Sequence, residues 1–178
     1  MLGVRRAHGY DVSSKEHEAM RFHKYQALGN DYIVLEQADL GGTDLPATVV
    51  RRICDRHFGV GSDGILVEGE TPDGRLSLHI LNPDGSEAEK SGNGLRIFAR
   101  FLWDQGRAGD ESFQVVTTGG TVCCQVRDSG RTVFVEMGTA SFDSEQIPVA
   151  GPHREVVAEE LDVEGQHLRF TAVTVGNP

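Results

Sequence analysis

The stretch "NPDGSEAEKSGNGLRIFARFLWD", residues 82–104, sets a polar, glycine-punctuated loop directly against an almost wholly apolar run. Ser91 stands at the junction, followed by Gly92, Asn93 and Gly94. Beyond them Leu95, Ile97, Phe98, Ala99, Phe101, Leu102 and Trp103 leave only a narrow polar stripe of Arg96 and Arg100. A surface helix carries a broader polar side, so this helix is expected to be enclosed by sheet. The first turn of a helix leaves backbone N–H groups without intrahelical partners, and the helix dipole favours negative charge there. Gly92, Asn93 and Gly94 present those groups with little side-chain obstruction. Two chemistries fit the spacing. Either Ser91 caps the helix by accepting an N–H bond, or the tip receives a carboxylate or phosphate with Ser91 beside it.

Other residues offer weaker chemistry. "GVGSDG", residues 59–64, lacks the last glycine of a dinucleotide fingerprint and opens no helix, so it reads as a tight turn. Glu87 and Glu89 could serve as general bases but read more simply as solvated loop carboxylates. His23, His57 and His79 have no metal-ligand spacing, and no metal is expected. The three cysteines, Cys54, Cys123 and Cys124, make neither an even disulfide set nor a zinc pattern, which points to a reducing cytoplasm. Cys123 and Cys124 are adjacent in a strand-like run, so they face opposite sides of it as packing residues.

The elements that must position these groups are short and alternating. The chain has 178 residues, 38% hydrophobic, enough for one domain or one domain plus part of another. A net charge of -10 argues against a nucleic-acid or anionic-membrane partner but leaves room for a small anionic ligand at a local dipole. No apolar run approaches the roughly 18 residues that span a bilayer. Residues 1–19 show no periodicity and no signal-peptide core, and are expected to be a disordered extension, with Met20 a candidate start. Strands are expected over "FHKYQA", "DYIVLE", "ILVEGE", "RLSLHILN", "SFQVVTT", "TVCCQVRD" and "RTVFVEMG", with two more around Glu164-Gly165. Gly29-Asn30 and Asp128-Ser129-Gly130 mark turns. "LPATVVRRICDRH" reads as a helix with Pro46 in its first turn and His57 near its end. The class is α+β, with many strands and two helices.

"KYQALGNDYIVLE", "CDRHFGVGSDGILV", "NPDGSEAEKSGNGLRIFARFL" and "TVGNP" together resemble the diaminopimelate epimerase family, in that family's order and spacing. The resemblance runs from Met20 to Pro178. It implies a curled, mostly antiparallel sheet wrapped around a central helix, over residues 20–137, and the start of a second, similar lobe over 138–178. It implies a cofactor-independent epimerase that interconverts LL- and meso-diaminopimelate, with two cysteines facing opposite sides of the α-carbon. Carried over by position, Asn30, Asn82 and Asn177 resemble substrate-contacting asparagines. The N–H groups of Gly92 and Asn93 resemble the receivers of the α-carboxylate, whose charge grows as the carbanion forms. The resemblance also implies a cytoplasmic homodimer that acts on a small amino acid.

Two departures stand out. The family's first-lobe cysteine falls at position 91, where this chain has serine. A thiol titrates near about 8.5, whereas an alcohol lies nearer the roughly 15.7 of water, so serine is the poorer base. Ser91 is then a natural variant that still supports epimerisation, a device for a related reaction such as dehydration of a hydroxylated substrate, or an inactivating change. Second, none of Cys54, Cys123 and Cys124 lies in a Cys-Gly-Thr/Ser-Gly-like motif that could supply the opposite thiol. The chain by itself is therefore expected to lack two-base epimerase activity.

Overall fold

A computed structural model describes residues 5–7, 20–40 and 45–176, the first three by backbone alone. The chain divides into two compact units, Met1–Glu136 and Met137–Pro178. Among the described residues the first unit holds one nine-stranded sheet. Its strands are β1 (Arg5–Ala7), β2 (His23–Ala27), β3 (Asn30–Leu35), β4 (Ile65–Glu70), β5 (Leu76–Leu81), β6 (Glu87–Ala88), β7 (Phe113–Thr117), β8 (Gly120–Arg127) and β9 (Thr132–Glu136). Two α-helices accompany them, α1 (Ala47–Cys54) and α2 (Gly92–Asp104), with a 3-10 turn at Gln37–Leu40. The order across the sheet is β1-β2-β3-β4-β5-β7-β8-β9, with β6 paired to β5. Within the stretch expected to be disordered, Arg5–Ala7 form an edge strand antiparallel to β2. The rest of residues 1–19 lies outside the described residues. No described helix is long and apolar enough to cross a membrane.

Most neighbours are antiparallel, but β3/β4 and β5/β7 are parallel. A parallel pair needs a crossover, and crossovers in a sheet are right-handed. The first crossover contains α1 and the second contains α2. Because β5 runs antiparallel to β4, the same handedness sends the two helices to opposite faces. The burial pattern agrees. Ile33, Leu35, Ile65 and Val67 pack with Val50 and Cys54 of α1. The alternate residues face α2: the register aligns His23, Val34, Leu66 and Ile80 across four strands. Tyr32–Leu35 and Ile65–Glu68 are accordingly buried without a break instead of alternating.

Helix α2 is enclosed as its composition predicts. Leu95, Ile97, Phe98, Ala99, Phe101 and Leu102 are at most 2% exposed, and each large apolar side chain so buried contributes roughly 1.5–3 kcal/mol. Phe101 meets the rings of His23 at 5.0 Å and Tyr25 at 6.3 Å. Near the helix C-terminus the Tyr25 hydroxyl bonds Asp104 at 3.1 Å, while Arg100 donates to the Gly130 carbonyl at 2.6 Å. Tyr25 belongs to β2 and Gly130 to the β8–β9 turn, so strands from both ends of the sheet order meet the same helix. The sheet is curled around α2.

Helix α1 is shorter than its periodicity suggests. Pro46 is the N-cap residue, outside the first turn, and the helix stops at Cys54. Asp55 is extended, and its carboxylate accepts the N–H groups of His57 and Phe58 at 2.7 and 2.8 Å. That local bond offers the backbone an alternative to another helical turn. In the second unit, β10 (Glu159–Val163) and β11 (Gln166–Phe170) form an antiparallel hairpin closed by Glu164-Gly165, as the sequence predicts.

Candidate functional site

The N-terminus of α2 lies against β3 and the loop before β4. Ser91 is the N-cap: its backbone is extended, with φ -142° and ψ 116°, and its Oγ accepts the Gly94 N–H at 3.0 Å. The Leu95 N–H donates to the Ser91 carbonyl at 2.8 Å. Gly92 and Asn93 are then the first-turn donors with no partner among the described residues. Ser91 is thus a cap, and the cap leaves two N–H groups at the tip. On its other side Ser91 Oγ lies 3.3 Å from the Tyr32 hydroxyl.

A chain of side-chain hydrogen bonds runs from this tip to the start of β3 and the loop before β4. Arg96 Nη1 donates to Asn93 Oδ1 at 3.2 Å, and Asn93 Nδ2 donates to Asn30 Oδ1 at 3.4 Å. Asn30 Nδ2 then donates to Asp63 Oδ2 at 3.0 Å. The direction is forced at both ends, because a guanidinium only donates and a carboxylate only accepts. Asp63 Oδ2 also takes the Asp31 N–H at 3.0 Å, and Asp63 Oδ1 takes Arg56 Nη2 at 2.6 Å. Arg56 Nη2 bonds Asp31 Oδ1 at 2.6 Å as well, and Lys24 Nζ lies 3.0 Å from Asp31 Oδ2. Burial alone would push the Asp31 carboxyl up. The hydrogen bonds and charges of Arg56 and Lys24 outweigh it and hold the group down to about 2.

Local folding explains the assembly. Leu28-Gly29 make a two-residue hairpin loop, both with positive φ (59° and 85°), the pairing that matches strand twist. That turn places Asn30 at the start of β3, opposite Ala27. Residues 59–64, expected to be a tight turn, instead form an irregular loop whose Gly59, Gly61 and Ser62 N–H groups bond back to the carbonyls of Asp55, Ile53 and Cys54. Gly64 is required for space: a Cβ there would lie 2.6 Å from the Leu81 carbonyl and 2.7 Å from Tyr32 Cε1.

Of the residues expected from sequence, Asn30, Ser91, Gly92 and Asn93 come together. Asn82 sits in its own turn, donating through Nδ2 to Ser86 Oγ at 3.0 Å. Among the described residues no hydrogen bond joins it to the others. Asn177 lies outside the described residues. Sequence reasoning passed over Tyr32, Asp63, Arg56 and Arg96. The two buried cysteines are poor nucleophiles: burial raises Cys54, and burial beside Cys123 pushes Cys124 up to about 12. Glu87 pairs with exposed His79 at 2.8 Å. In the second unit Asp143, Glu145 and His153 bring possible ligand atoms within 4.8 Å of one another. His153 Nε2 and Asp143 already pair at 2.9 Å, which lowers the carboxyl and raises the imidazole.

Comparison with known proteins gives this arrangement its family. The diaminopimelate epimerase family model matches residues 22–143. Diaminopimelate epimerase 2 of Nostoc sp. is 49% identical over 160 residues, covering 89% of this chain and 56% of that protein. Diaminopimelate epimerase of Moorella thermoacetica is 40% identical over 163 residues, covering 89% and 58%. The chain thus spans less than three fifths of the length of these curated relatives. Among solved structures, a hydroxyproline epimerase from Agrobacterium vitis with bound trans-4-hydroxy-L-proline has a TM-score of 0.54 at 16% identity, covering 85% of this chain and 48% of its own. That likeness is one of fold. The match over the whole α2 crossover and its flanking strands supports a single statement: the chain belongs to the diaminopimelate epimerase family.

Proposed function

We propose that the tip of α2 is one half of a cofactor-independent amino-acid epimerase site, acting on diaminopimelate and interconverting its LL and meso forms. The observation that carries this reading is the pair of Gly92 and Asn93 N–H groups at the start of an enclosed helix. They receive the substrate α-carboxylate. Loss of the α-hydrogen spreads negative charge onto that carboxylate, and donors fixed beforehand stabilise the growing charge by a few kcal/mol each. Ser91 faces the α-carbon from this side. Asn30, held by Asp63 and Asn93, offers its remaining N–H and lone pair to the polar groups of the substrate, with Asn82 and Asn177 as further contacts. The second proton-transfer group approaches from the opposite face. The protein works as a cytoplasmic homodimer on a small molecule, with no nucleic-acid or membrane partner.

Calorimetric titration of the full-length protein with LL- and meso-diaminopimelate tests the reading, using Gly92→Pro as the comparison. Proline is accommodated at the first helical position, and Ser91 already has the extended backbone that a following proline requires. The substitution deletes one N–H. A hydrogen bond to a charged group contributes roughly 1.5–3 kcal/mol, so affinity is expected to fall about ten- to a hundredfold. No binding of either isomer, or equal binding by Gly92→Pro, overturns the proposal. Binding without α-hydrogen exchange would instead favour an inert, ligand-holding role.

A further inference from the structure

We propose that Tyr32 is the positioning residue behind Ser91: it donates its phenolic hydrogen to Ser91 Oγ, turns the serine hydroxyl hydrogen toward the site, and resupplies it. Ser91 therefore acts as the proton donor of its face when the opposite face loses its hydrogen, and in the reverse direction the Ser91–Tyr32 pair takes that proton back. This deepens the epimerase reading and rests on it.

Tyr32 is only 7% exposed, and its hydroxyl lies 3.3 Å from Ser91 Oγ. Among the described residues it has no other hydrogen-bond partner. A buried phenol places its hydrogen on an acceptor, and Ser91 Oγ is the acceptor in reach. A serine oxygen has two lone pairs and one hydrogen. The Gly94 N–H occupies one lone pair at 3.0 Å, and Tyr32 occupies the other. What remains free is the Ser91 hydrogen. The fold enforces this contact. The register that pairs Tyr25 with Tyr32 turns both toward α2. Bare Gly64 leaves the slot for the Tyr32 ring, and bare Gly94 leaves room for Oγ, which a Cβ would approach to 3.2 Å.

The step balances. Once the hydrogen on the opposite face of the α-carbon has been removed, the carbanion's electron pair takes the Ser91 hydroxyl hydrogen, forming a C–H bond as the O–H bond breaks. The Tyr32 phenolic hydrogen moves to Ser91 Oγ as its own O–H bond breaks, and that electron pair stays on the phenolate oxygen. Water returns a proton to the phenolate afterwards. Phenols are stronger acids than aliphatic alcohols by about five to six orders of magnitude, so a phenol behind the alcohol makes a serine workable where a thiol would need no help.

The test is a double-mutant cycle in the full-length protein, with Tyr32→Phe and Ser91→Cys made singly and together. The readouts are deuterium incorporation at the α-carbon of diaminopimelate in deuterated water and diaminopimelate affinity by calorimetry. Tyr32→Phe alone is expected to keep affinity and to slow exchange on the order of a hundredfold, the scale of a lost proton-transfer partner. In the Ser91→Cys background the same change is expected to cost under about threefold, because a thiol transfers protons unaided. Equal losses in both backgrounds, or no loss in either, overturn the proposal while leaving the epimerase reading intact. Absence of both binding and exchange in every variant removes the reading itself, and the proposal with it. Global replacement of tyrosine by 3-fluorotyrosine keeps the ring in its slot and acidifies the phenol, so the pH profile of exchange should move downward. An unmoved profile also overturns the proposal, even if Tyr32→Phe does not fold.

Discussion

The Gly94 N–H bond to Ser91 Oγ has a measurable worth apart from any chemistry. Ser91→Ala removes it and leaves the buried Tyr32 hydroxyl without its acceptor. Loss of an N-cap costs about 0.5–2 kcal/mol, and an orphaned buried hydroxyl adds about 1–3 kcal/mol. Urea titration should show a lower midpoint at unchanged slope. Asp31 makes the second residue-level prediction. Its folded value of about 2 lies below the unfolded 3.8. A depressed carboxyl contributes stability that is complete above the unfolded value and lost as pH falls through the folded one. The contribution should therefore fade between about pH 4 and about pH 2. Asp31→Asn should flatten that limb of a stability–pH curve measured by urea unfolding. At neutral pH it should cost roughly 1–3 kcal/mol through lost charged hydrogen bonds. Retention of the full acid limb in this variant would assign it to other carboxylates.

At the level of elements, Gly64 is the tightest test of how the site is packed. A methyl group there would press on the Leu81 carbonyl and the Tyr32 ring together. Gly64→Ala should destabilise the protein by about 1–3 kcal/mol, the usual cost of overpacking, and should displace the Tyr32 hydroxyl from Ser91. A crystal structure of the variant would read that displacement directly. The elements themselves were largely legible in sequence. The β10–β11 hairpin follows from Glu164-Gly165, and the enclosure of α2 follows from its missing polar face. The shorter α1 was not, because the periodicity of "LPATVVRRICDRH" carries no trace of the Asp55 carboxylate capturing two N–H groups beyond it. Tyr32 and Asp63 were missed for another reason. Tyr32 and Ser91 are 59 residues apart, Asn30 and Asp63 33 apart. The first approach depends on which face of β3 meets α2, and the second on the parallel β3/β4 ladder. A local pattern contains neither. One signal was available: a two-residue loop at Leu28-Gly29 fixes the β2/β3 register and puts Tyr32 on the same face as Tyr25. Asn82 was expected at the site by resemblance, and in the structure one of its side-chain N–H groups is donated to Ser86 Oγ.

Across the whole molecule, protection should be very uneven. β3 and β4 are buried on both faces, whereas β10 and β11 are exposed along nearly their whole length. A two-stranded hairpin is marginal by itself. Native-state hydrogen exchange should find the slowest amides in β3, β4 and β5 and fast exchange throughout β10–β11. Slow exchange in the hairpin would mean that something covers it in solution. The parallel β5/β7 pairing, made through Ser77 and Val116, bears on how the protein is born. All of α2 precedes β7, β8 and β9, the strands that complete its cover. In a chain that ends before them its phenylalanines and leucines have half a wrapper, and such a chain is prone to clumping or to chaperone capture. A released fragment ending at Asp104 should therefore be sticky and protease-sensitive, and one ending past Glu136 compact.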